Sequence, residues 1–127
     1  DSSSGVIFFA SGVFYYFLKE QVKKLVCNLE SRFPSSVLVF DAANEKAVKM
    51  ITKTWLKKAE IKNVGAYFSV SDAKKEISSW SNKITVSSKG YMLGYNDLKD
   101  PSVSSFSRFL SKVGDKVMKM QIVKICF

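Results

Sequence analysis

The sequence predicts an α/β domain built round a parallel βαβ unit and closed by an antiparallel strand pair. Three observations carry this. "VIFFAS" (Val6 to Ser11) and "SVLVFDA" (Ser36 to Ala42) are short, nearly continuous apolar runs rich in β-branched and aromatic residues. Such runs read as strands buried on both faces. Between them Val22, Leu25, Val26, Leu29 and Phe33 form one apolar stripe at helical spacing. The chain then ends on a further apolar strand pattern, "KMQIVKICF" (Lys119 to Phe127).

Each element has local reasons. Gly12 ends the first strand, and "FPSS" (Phe33 to Ser36) stops the helix, because Pro34 restricts the residue before it and has no N–H to give. The helical pattern resumes from Asn44, a suitable N-cap, to Ala59. Its inward residues are Ala47, Val48, Ile51, Trp55 and Ala59, opposite a row of Lys46, Lys49, Lys53 and Lys57. "AYFSV" follows as a short apolar piece, and Ser71 or Asp72 caps a brief helix over "AKKEISSW". "KITVSSKGYML" (Lys83 to Leu93) reads as a strand with a bulge at Gly90. Asp100 and Pro101 mark a helix start, with Val103, Phe106, Leu110 and Val113 as its buried stripe and Gly114 as its C-terminal cap. No repeat or linker divides the chain, so residues 1–127 are expected to form one unit.

Composition narrows the function classes. The 127 residues are 46% hydrophobic and 24% charged, and no apolar run approaches the roughly 20 residues of a spanning helix. The apolar start follows Asp1 rather than a basic region, so it reads as structure and not as a targeting signal. With no histidine and two cysteines, Cys27 and Cys126, neither a metal cluster nor a Ser-His or Cys-His catalytic arrangement is expected. Both cysteines sit in core patterns, and a cytoplasmic setting is the expectation. The net charge of +9 raises nucleic acid or an acidic membrane as partners. Eighteen of the twenty basic residues are Lys, not the Arg that phosphate recognition favours, so the Lys row reads as a solvated face. No nucleic-acid and no membrane partner is expected.

The stretch "ASGVFYYFLKEQVKKLVCNLESRFPSSVLVFDAAN" and the closing "KVMKMQIVKICF" resemble the latter half of S-adenosylmethionine-dependent methyltransferases. They are most similar to the O-methyltransferases of the tetracenomycin polyketide type within the leucine carboxyl methyltransferase family. The resemblance covers nearly all of this chain but about half of such a domain. It implies the fourth to seventh strands of a Rossmann-like sheet, the last one antiparallel. The Gly-rich turn and the ribose-binding acidic residue belong to the earlier strands, and no G-x-G-x-x-G stands here. With no Met at its start, the chain is therefore expected to be a C-terminal part, inactive alone, with an incomplete S-adenosylmethionine site.

By the same resemblance, Ser11 and Gly12 meet the methionine end of the cofactor; many relatives carry Glu where Ser11 stands. Tyr15 and Tyr16 line the pocket of a small-molecule acceptor or pack the helix start, and Asp41 orients the acceptor hydroxyl or caps the following helix. Methyl transfer to oxygen by direct displacement needs alignment more than a covalent nucleophile, so such a site is chemically adequate. Nothing in "VIFFA" blunts a free strand edge. The Val6 to Ser11 strand is thus expected to meet the missing half of the sheet or to self-associate. The alternative reading is a non-catalytic α/β module that recruits a partner through this edge.

Overall fold

A computed structural model describes residues 5–51, 53, 54, 58, 60, 65–95 and 98–127. The chain is an α/β unit in the order β1 (Ile7–Ala10), α1 (Lys19–Arg32), β2 (Val37–Ala42), α2 (Glu45–Ile51), α3 (Ala73–Ser78), β3 (Thr85–Gly90), α4 (Ser105–Lys112) and β4 (Gln121–Cys126). One four-stranded sheet runs β1-β2-β4-β3. β1 and β2 are parallel, and β4 runs antiparallel to both β2 and β3. The carboxyl ends of β1, β2 and β3 therefore lie at one edge of the sheet.

Alternation along each strand sorts the side chains to two unlike faces. Phe8, Leu38, Phe40, Ala42, Val86, Val123 and Ile125 point to one face and pack with Val22 and Val26 of α1 and Ala73 and Ile77 of α3. Phe14, Phe40 and Phe68 meet at its centre, with ring centroids 5.0 to 6.1 Å apart. The opposite face carries Ile7, Phe9, Val37, Val39, Ile122 and Cys126, and none of them enters a core cluster of the described residues. Ile7 is 63% and Phe9 76% exposed. The expected double burial of the first strand is thus corrected: β1 is an edge strand with one covered face. Both cysteines are half-buried, not core.

Several local expectations change for visible reasons. The register from Thr85–Cys126 to Gly90–Gln121 is unbroken, so Gly90 ends β3 without a bulge. Asp100 does not begin a helix, because its Oδ1 accepts the Ser102 N–H at 2.8 Å and closes a turn first. Ser104 caps α4 instead, accepting the Ser107 N–H at 3.1 Å. Gly114 is no cap either: it is buried within a π-helical turn, Val113–Val117, and the left-handed residue after it is Lys119, at φ 53°. Of the stripe expected to be buried on α4, Phe106 and Leu110 are exposed, while Val103 and Val113 are half-buried. α2 is capped by Asn44 as expected, whose Oδ1 accepts the Ala47 N–H at 3.0 Å. Ala47 and Val48 are buried and Lys46, Lys49 and Lys53 exposed, as expected, while Trp55, Lys57 and Ala59 lie outside the described residues.

Two groups fix where β1 enters. Ser36 is buried, and its Oγ accepts the Val6 N–H at 2.8 Å. Gly5 has φ +78°, and a Cβ there would stand 2.6 Å from the Ser35 carbonyl oxygen, so only glycine fits this approach. Ser36→Ala is expected to lower unfolding stability by about 1–2 kcal/mol, since it strands the Val6 N–H at the start of the edge strand. A urea melt with unchanged slope checks it.

Candidate functional site

Ligands of open parallel sheets bind beyond the carboxyl ends of the strands, and here three chain reversals converge there. β1 ends at Ala10, and Gly12 turns the chain at φ +66°, a conformation that a side chain disfavours by about 1–2 kcal/mol. The turn aims the Gly12 N–H at Asp41, whose Oδ1 accepts it at 2.6 Å. A short 3-10 turn over Phe14–Tyr16 then buries Phe14 and Tyr15. The Tyr15 phenol faces the Asp41 carboxylate, which acts on it electrostatically. Asp41 thus joins the two strand ends, accepting the Gly12 N–H and facing the Tyr15 phenol.

The Tyr15 loop is anchored on its other side as well. Its carbonyl oxygen accepts the Tyr67 N–H at 2.7 Å, and Val70 N–H donates to the Ala43 carbonyl at 2.8 Å. "AYFSV" is therefore an extended connection, not a sheet strand, which buries Phe68 and Val70 against the core. Asp72 caps α3 by accepting the Lys75 N–H. Glu76 returns to the N–H groups of Ser71 and Asp72 and pairs with Lys19 of α1.

Electrostatics fix the protonation of Tyr15. Burial, then the Asp41 carboxylate as hydrogen-bond acceptor and negative neighbour, and then Tyr91 hold the Tyr15 phenol protonated far above the ordinary tyrosine range. A raised native pKa means stability that is complete below the unfolded value, near 10, and lost as pH rises above it. Spectrophotometric titration should therefore show the Tyr15 phenol ionising only as the fold is lost. In Tyr15→Phe the steep alkaline loss of stability is expected to flatten.

Beside Asp41 a cleft of about 260 Å³ opens on the uncovered face of the sheet, lined by Phe9, Ser11, Val39, Asp41, Tyr91 and Ile122 among others. Its walls are apolar, and its polar groups gather at the strand-end rim. A second apolar cleft, of about 310 Å³, lies between Val13, Phe17 and Leu25 at the flank of α1. Of the five residues singled out in the sequence, Gly12, Tyr15 and Asp41 are brought together, and Ser11 stands beside them in the cleft wall. Tyr16 is exposed and lines neither cleft. Tyr91 was not anticipated. It follows the last residue of β3, held by its N–H to the Met120 carbonyl at 3.0 Å. The strand-end rule finds it once β3 is known to stop at Gly90, whereas the pattern alone placed it inside the strand.

Among the described residues no group of His, Cys, Asp and Glu is arranged to hold a metal ion, and no helix is long and apolar enough to cross a membrane. Comparison with family models, with curated proteins and with solved structures finds no match.

Proposed function

We propose that this chain is the latter half of an S-adenosylmethionine-dependent O-methyltransferase, with a small-molecule acceptor held at the Asp41 rim. The observation that carries the reading is the meeting of Ser11–Gly12, Tyr15 and Asp41 at the carboxyl ends of two parallel strands. The terminal strand β4 runs against β2 and β3, which is the sense the resemblance requires. Further support is the uncovered sheet face with Ile7 and Phe9, which a companion half would cover.

The residues present fit one side of a cofactor site. Gly12 provides a turn without a Cβ, whereas a Gly-rich strand-to-helix turn is lacking among the described residues. When bound, the cofactor would supply an electrophilic methyl on a sulfonium, with a neutral thioether as leaving group. Asp41 accepts the Gly12 N–H and keeps carboxylate capacity to orient an acceptor hydroxyl and take its proton. Tyr15, held neutral beside it, does not compete for that proton. Phe9, Val39 and Ile122 form the apolar side, where a companion half would exclude water.

Isothermal titration separates the outcomes. The 127-residue chain alone is expected to bind S-adenosylmethionine weakly or not at all, while a protein extended by the coding sequence upstream of Asp1 binds one equivalent. Tight stoichiometric binding by the chain alone, or none by the extended protein, overturns the reading.

A second reading is favoured by one specific observation. Val37 N–H donates to the Val6 carbonyl, so in the parallel register Ile7 and Phe9 turn their backbone groups to the free edge. A non-catalytic module that recruits a partner strand there predicts an upstream sequence unrelated to any Gly-rich strand–turn–helix.

A further inference from the structure

From the surface of α4 we propose that this protein docks peripherally on anionic lipid bilayers, an inference independent of the methyltransferase reading. Phe106, Phe109, Leu110, Val113 and Val117 recur at intervals of 3, 1, 3 and 4 along α4 and the π-helical turn that extends it. This is the apolar stripe of an amphipathic helix, yet it does not face the core. Phe106 is 68%, Phe109 61%, Leu110 50% and Val117 63% exposed. The opposite side is the anchored one. Ser111 is buried and donates to the Ser107 carbonyl, while Arg108 folds back onto the Asp100 carbonyl. The Phe ridge therefore points outward by construction.

The surroundings select the occupant. Lys112, Lys116 and Lys119 are exposed along the same segment. The neighbouring carboxylate, Asp115, is occupied by the N–H groups of Met92 and Leu93 at 2.9 and 2.7 Å. That bond also brings the 91–95 turn, with exposed Tyr91, Met92 and Tyr95, to the end of the helix. A convex ridge of two phenylalanines and a leucine, edged by lysines on a chain of net charge +9, suits a yielding, negatively charged surface. Aromatic and aliphatic side chains enter the headgroup boundary while the lysines reach the phosphates. A second copy fits less well, because residues 105–119 carry Arg108, Lys112, Lys116 and Lys119 against one carboxylate, Asp115, which is already engaged. The sequence expectation of no membrane partner rested on the lack of a spanning run and on a solvated Lys row, and neither bears on a peripheral helix face. No stripe residue lines either cleft near Asp41 and α1, so docking leaves those free.

Vesicle co-sedimentation of the 127-residue chain tests this, with pure phosphatidylcholine against an equimolar mixture with phosphatidylserine. The mixed vesicles are expected to retain the protein and the neutral ones not. Phe106→Ser with Phe109→Ser, both at exposed positions, should weaken binding at least about tenfold with the circular dichroism spectrum unchanged. Lys112→Glu with Lys116→Glu should weaken it too. Equal binding by the serine variant, no binding to either vesicle, or a concentration-dependent dimer that the serine variant abolishes would each overturn the proposal.

Discussion

Asp41→Ala is expected to cost about 3 kcal/mol of stability and to dissolve the candidate site in one step. The carboxylate accepts the Gly12 N–H at 2.6 Å and faces the buried Tyr15 phenol. A hydrogen bond to a charged group contributes about 1.5–3 kcal/mol. Against a typical total of about 5–15 kcal/mol, such a loss is large. Asp41→Asn keeps an amide oxygen as acceptor and should recover roughly half of it. The asparagine variant also separates architecture from chemistry. Under the proposed methyl transfer, a protein carrying the companion half should fold with this substitution yet react about a hundredfold more slowly, since the amide takes no proton. Denaturant melts of the two variants, with the Gly12 amide resonance as a local probe, decide the structural part.

The βαβ core was legible because each of its signals is local. Two β-branched runs, a stripe at helical spacing and a proline stop need nothing beyond their own neighbours, and they produced β1, α1 and β2 within a few residues. The antiparallel sense of the C-terminal strands was not local: it was expected from their connection and from the family resemblance. Two kinds of information were not legible. Burial of a face depends on what packs over it: "VIFFA" is equally apolar on both sides, and only the fold reveals that Phe8 is covered while Phe9 is not. The α4 stripe failed likewise, because periodicity identifies an apolar face without naming its partner. The second kind is competition at helix starts. Asp100 and Ser104 are both acceptable caps, and the Asx turn at Asp100 decides between them. At the site, Gly12 and Asp41 were visible as strand-end residues. Their direct bond was not, because it spans 29 positions and rests on the parallel register of β1 with β2.

Phe40→Ala should produce the largest loss of stability of any single change in the sheet, about 3–5 kcal/mol. Phe40 is 2% exposed at the centre of β2, between β1 and β4, and its ring meets both Phe14 and Phe68. Removing it leaves a void bounded by rigid rings on two separate connections, which cannot collapse without shifting the Tyr15 loop and the "AYFSV" segment together. The matched control is Phe9→Ala. Phe9 has the same side chain in a strand of the same sheet, but on the uncovered face, and its loss should change stability by no more than about 0.5 kcal/mol. Paired guanidinium melts measure both. A Phe9 effect comparable to that of Phe40 would mean that the open face is covered in solution, by a second chain or by further polypeptide. In that case the effect of Phe9→Ala should fall on dilution if the cover is a second copy, and stay constant if it is covalently part of the protein.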